Sequence, residues 1–204
     1  DYGLFPELKQ AIDEYIDRCE HHIKTWKEYE ERAAKLAFFL NEKSIGNDSK
    51  IGLYLHNSNE YLEAQFATFK VEGVPINVNY RYVEEELIYL LDNSDSEVVF
   101  FQSAYAERIK KIADKLPKIK AYIQVGGENS LDINNCYLYE EIISENPPLA
   151  RKTRSEDNIY MLYTGGTTGM PKGVMYKQGG FMNSLLKTAL AMGFDVPESH
   201  LDIP

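Results

Sequence analysis

Cysteine is scarce in this 204-residue chain. Only Cys19 and Cys136 occur, too few for a disulfide-stapled fold, and the count fits reduced thiols in a cytoplasmic protein. Basic residues are outnumbered as well. Lys and Arg total 22 against 32 Asp and Glu, a formal net charge of −10, whereas a nucleic-acid binder concentrates cations. No nucleic-acid partner is therefore expected, and any anionic ligand must be held locally against the overall field. No run of about 20 apolar residues occurs, so no transmembrane segment is expected. Residues Asp1 to Gln10 also lack the basic-then-apolar order of a signal peptide. Neither G-x-G-x-x-G nor G-x-x-x-x-G-K-[ST] is found, which removes the dinucleotide fingerprint and the Walker phosphate loop.

What is present suits a globular core. The chain is 44% hydrophobic and 26% charged, which excludes a disordered class, and its length covers one domain with some to spare. Thr25 and Glu28 have capping-box spacing ahead of a helix that presents Trp26, Tyr29, Ala33, Leu36, Ala37 and Leu40 at helical intervals. Apolar runs then start near Ile51, Val74, Val98 and Ala121, about 23 residues apart. Helical faces lie between them: Leu62/Phe66/Phe69, Leu87/Leu90/Leu91 and Tyr105/Ile109/Ile112/Leu116. The units share a period but no residue pattern, which favours successive βα units over a solenoid. The expected fold is α/β, a mostly parallel sheet flanked by helices. Pro75 is tolerable near a strand start. Residues 126–157 read as a connection interrupted by a short helix around Tyr137–Ser144. Met161, Met175 and Met182 read as core. His56, at a strand end, reads as a polar residue in a strand-to-helix turn, and Cys19/His21/His22 as a solvated turn.

Chemistry concentrates in one stretch. The apolar strand Asn158–Tyr163 runs into Thr164-Gly165-Gly166-Thr167-Thr168-Gly169-Met170-Pro171-Lys172-Gly173, and Val174-Met175-Tyr176 is strand-like again. Glycines let backbone amides turn toward a ligand and approach it closely. Thr164, Thr167 and Thr168 can donate to phosphate oxygens, and Lys172 supplies a positive charge. The set suits a polyphosphate held between two strands, not at a helix start.

Tyr163 to Val174 resembles the phosphate-binding signature [YF]-T-S-G-T-T-G-x-P-K-G-V of the adenylate-forming superfamily. The resemblance extends from about Thr25 to Gly193, through Gly52–Tyr61 and through Pro75–Tyr82 with Glu85-Glu86-Leu87. It is most similar to bacterial fatty acyl-CoA synthetases. Gly165 stands where most members carry Ser, which shifts phosphate binding toward backbone amides, and Val83 replaces a capping Thr at a helix start. The resemblance implies the N-terminal part of a larger adenylation domain, with 1–157 as its βα portion and 158–204 as the phosphate-loop hairpin and following helix. It implies that a carboxylic acid and ATP form acyl-AMP and pyrophosphate, with coenzyme A as acyl acceptor and Mg²⁺ on the phosphates. Lys172 and Thr164 would act in catalysis. Thr164, Gly165, Gly166, Thr167, Thr168, Gly169 and Lys172 would bind the nucleotide. The later motifs of the superfamily are missing, so these residues alone are expected to be inactive. Another adenylate-forming chemistry, a non-catalytic fragment and a homo-oligomer all stay open.

Overall fold

The computed structural model describes residues 25–164 and 171–194. Helix α1 (Trp26–Glu42) starts at the expected capping box: Thr25 Oγ1 accepts from the Glu28 amide at 3.2 Å, and Glu28 accepts from the Thr25 amide at 2.7 Å. Strand β1 (Lys50–Tyr54), helix α2 (Asn59–Lys70), strand β2 (Val74–Asn77), helix α3 (Glu84–Asn93) and strand β3 (Ser96–Gln102) follow in βα order. A 3₁₀ turn leads into α4 (Ala106–Ile112), then β4 (Ala121–Val125), β5 (Cys136–Leu138) and α5 (Tyr139–Glu145). Strands β6 (Ile159–Thr164) and β7 (Lys172–Lys177) precede α6 (Gln178–Ala191).

The seven strands form one sheet in the order β5-β4-β3-β1-β2-β6-β7. All neighbours are parallel except β6 and β7. Side-chain alternation divides the core between the two faces. Ile51, Leu53, Val98, Phe100, Ala121 and Ile123 pack under α1, α2 and α5. Tyr54, Val74, Ile76, Val99, Phe101 and Tyr122 pack under α3 and α4. Pro75 is accommodated by the same alternation. The Val74 and Val78 amides donate toward β1, so residue 75 faces β6, where the register pairs Ile76 with Met161.

Several expectations are corrected. Trp26 belongs to no core, being 86% exposed, although Leu36, Ala37 and Leu40 behind it are fully buried. Helix α2 does not bury Leu62, Phe66 and Phe69; it buries Glu63, Ala64, Ala67 and Thr68, with Leu62 52% exposed. The physical reason is Glu63, whose carboxylate is neutralised at 3.0 Å by Arg32 from α1 and receives the Tyr139 hydroxyl of α5. A charged position thereby becomes the innermost one on its helix. Met161 is buried as expected, but Met175 and Met182 are 65% and 52% exposed, because β7 and α6 have no buried residue. The stretch 126–157 holds the expected short helix and also strand β5, which is three residues long and half-buried. Cys136 on that strand is a free thiol. Cys19, His21 and His22 lie outside the described residues.

Candidate functional site

Strands β1 to β6 run the same way, so their carboxyl ends share one edge of the sheet, and antiparallel β7 begins at that edge. The two strands that flank the expected loop pair up to its ends. Thr164 is the last residue of β6, Lys172 the first of β7, and the two are register partners. Residues directly opposite in an antiparallel pair sit about 5 Å apart, so a hydroxyl and an ammonium flank the mouth of the turn. Both residues are exposed. Among the described residues the Lys172 ammonium has no carboxylate partner. Gly165, Gly166, Thr167, Thr168 and Gly169 lie outside the described residues.

The base of the hairpin is held from two directions. Tyr163 donates its hydroxyl to Asn93 Oδ1 at 2.9 Å, and Tyr89 donates to the Pro171 carbonyl at 3.3 Å. Burial pushes the Tyr163 phenol up, with Tyr89 and Asp95 adding to the shift, so it stays a donor. Tyr89 and Asn93 are four residues apart on α3, hence on one face, and together they grip the strand entering the loop and the residue leaving it. Sequence reasoning missed both; their i, i+4 spacing on an expected helix was the available signal. The cap loss at Val83 is offset, since the Glu86 carboxylate accepts the Val83 amide at 2.9 Å and starts that helix firmly. Gly173 is closely packed. A Cβ there would come within 2.9 Å of the Met161 sulfur and 3.1 Å of the Tyr163 ring.

A second group of side chains gathers where β1 and β3 end. Their connections leave in opposite directions, the point at which open α/β sheets form a crevice. His56 lies there with its ring against Tyr80, centroids 4.4 Å apart, and in hydrogen-bond contact with the Tyr105 hydroxyl. Tyr54 beneath them donates to the Tyr80 and Tyr82 carbonyls and receives Arg108 at 2.5 Å, pinning the turn after β2. His56, read as a polar residue in a strand-to-helix turn, also packs its ring against Tyr80, and Tyr82 packs against the core. Glu84, Glu85 and Glu86 fill the first turn of α3.

A hairpin whose ends set Thr164 and Lys172 opposite each other differs from a phosphate loop that opens a helix. Residues 8–200 match the family described as AMP-binding enzyme. The chain belongs to the AMP-binding enzyme family. Its fold agrees with that of a solved long-chain-fatty-acid-CoA ligase from Archaeoglobus fulgidus, at a TM-score of 0.69 and 27% identity, over 82% of this chain and 33% of that one. Among curated relatives, the 3-oxocholest-4-en-26-oate–CoA ligase of Rhodococcus rhodochrous is 39% identical over 75% of this chain and 28% of its own length. The medium-chain acyl-CoA ligase Mig of Mycobacterium avium is 35% identical over 87% of this chain and 35% of its own. This AMP-binding chain therefore spans about a third of the length of the curated relatives it matches. Among its described residues no helix is long and apolar enough to cross a membrane.

Proposed function

We propose that the chain forms the phosphate-holding N-terminal part of an ATP-dependent acyl-CoA synthetase. The observation that carries this reading is the Thr164–Lys172 register pair at the mouth of the glycine-threonine turn. The Thr hydroxyls, the glycine amides and one ammonium supply donors and a cation that would complement a triphosphate. Names of the relatives favour a fatty or sterol side-chain acid as the substrate class.

A carboxylic acid is ionised at neutral pH, so its oxygen attacks the α-phosphorus without a general base. The obstacles are repulsion between two anions and charge building on departing pyrophosphate. Lys172 and Thr164, with Thr167, Thr168 and the Gly165, Gly166 and Gly169 amides, would hold the β- and γ-phosphates and stabilise that charge. Bound Mg²⁺ would share the charge through phosphate oxygens and water. The acyl-AMP then passes its acyl group to coenzyme A. The chain by itself is inactive in this reading, supported by its third-length coverage and by the uncovered apolar faces of β7 and α6.

The test is carboxylate-dependent exchange of labelled pyrophosphate into ATP by the full-length protein, across a panel of acids with and without coenzyme A. Lys172→Ala should lower exchange by about 10²–10³-fold with the fold retained. Unchanged exchange, release of ADP in place of AMP, or exchange by the 204-residue chain alone would each overturn the corresponding part.

A further inference from the structure

The surface shared by α1 and α2 carries a continuous strip whose two ends differ in chemistry. At one end stands Trp26, the single tryptophan of the chain and 86% exposed. Its ring meets Tyr29 edge-on at 5.9 Å, and Tyr29 stacks on Phe66 at 5.2 Å. The Tyr29 hydroxyl donates to the carbonyl of Leu62, whose side chain is also exposed. At the other end the Lys70 ammonium lies 4.5 Å over the Phe66 ring and pairs with Glu30 at 2.7 Å. Arg151 shares the same Glu30 oxygen at 3.0 Å. A cavity of about 280 Å³ opens around this pair, lined by Glu30, Phe66, Lys70, Arg151, Lys152 and Arg154 among others. Lys152 pairs with Glu72 at 2.6 Å, so four cations gather here against two carboxylates, in a chain whose net charge is −10.

Burial would raise the Glu30 carboxyl, but Lys70 and Arg151 outweigh it and hold it below its ordinary range, so the carboxylate stays ionised and still leaves cations in excess. Arg151 is 82% exposed, and Lys152 and Arg154 are also exposed. An exposed indole and leucine beside a basic hollow match an interface that is apolar beneath and anionic above. We propose that this strip docks the protein on an anionic lipid bilayer. Trp26 and Leu62 enter the boundary between headgroups and acyl chains, while the exposed Arg151, Lys152 and Arg154 face the lipid phosphates. A soluble anion would use the hollow and leave Trp26 without a role. A second copy of the chain would bring the same cations against these across a two-fold axis. Docking requires no turnover, so it stands or falls separately from the ligase reading.

Trp26 is its own reporter. Its emission should shift to the blue and be quenched by brominated lipid when the protein meets phosphatidylglycerol-containing vesicles, and the shift should reverse with added salt. Pure phosphatidylcholine vesicles should leave it unchanged. Replacing Arg151, Lys152 and Arg154 with Ala should weaken partitioning about fivefold per cation, roughly a hundredfold together, with far-ultraviolet circular dichroism retained. In co-sedimentation, Trp26→Ser with Leu62→Ser should reduce the bound fraction. No response to anionic vesicles would overturn the proposal, as would equal binding to neutral ones or a triple variant that binds normally. A blue shift that grows with protein concentration in the absence of lipid would identify self-association in its place.

Discussion

The two ends of the sheet are built on different terms. From β4 across to β2 the strands are covered on both faces, and Leu53, Tyr54, Ile76, Phe100 and Phe101 have no exposed surface. At the other edge every residue of β7 is exposed and α6 buries none, its Phe181 touching Tyr160 and Tyr176 at ring distances of 6.0 Å. Strand β6 is the seam: Met161 belongs to the packed core, whereas Thr164 at its tip is exposed. The difference teaches where stability and chemistry reside. The packed end supplies a rigid frame, and the groups proposed to meet phosphate stand on the edge that contributes least to the core.

If that division is right, core truncation and edge truncation should differ by an order of magnitude. Phe100→Ala should cost about 3–5 kcal/mol in denaturant unfolding, while Leu185→Ala on α6 should stay within about 0.5 kcal/mol. Comparable losses would erase the distinction. Next in size, Arg32→Ala should cost roughly 3 kcal/mol or more, because Glu63 would be left charged and buried. A matching loss from cutting the exposed Lys177–Asp157 pair at the other end would contradict it. Gly173→Ala tests the seam: crowding against Met161 and Tyr163 should lower stability by about 1–3 kcal/mol, visible as a lower melting temperature. The smallest change, Tyr89→Phe, should cost about 1 kcal/mol in the full-length enzyme, read as a raised KM for ATP with little effect on unfolding. An equal loss in both measurements would make Tyr89 merely structural.

Acid should act on both ends alike. Lys152 holds the Glu72 carboxyl below its ordinary range, Lys118 does so for Asp95, and Lys177 for Asp157. Carboxyls lowered in the folded state contribute fully above their unfolded pKa values, near 4, and lose that contribution as pH falls through the lowered folded values. Thermal unfolding followed from pH 6 downward should therefore show declining stability below about pH 4 and a plateau above about pH 5. A flat profile would show these pairs to be energetically silent.

Much of the frame was legible because burial on both faces leaves continuous apolar runs, and those at Ile51, Val74, Val98 and Ala121 became β1 to β4. The hairpin was legible from composition, since glycine and threonine between two apolar runs resist any helical reading. Helix α2 was misjudged because its inner face is made of Ala64, Ala67, Thr68 and a carboxylate whose partners come from α1 and α5. No local pattern reveals a neutralised charge. Trp26, Met175 and Met182 misled for the converse reason, as apolar side chains on faces that nothing in the described fold covers. The grip of Tyr89 and Asn93 on the hairpin joins residues that only tertiary packing brings together.

The β2–β6 pairing has a kinetic consequence. Ile76 meets Met161 only after three other strands, β3, β4 and β5, have been made in between, so closing this contact spans a long loop and gains one register pair. The remaining neighbours in the parallel part of the sheet each close a far shorter loop. The five strands from β5 to β2 should therefore assemble first, with the β6–β7 hairpin docking as the last step of folding. Substitutions in the hairpin would then speed unfolding and leave the folding rate nearly untouched.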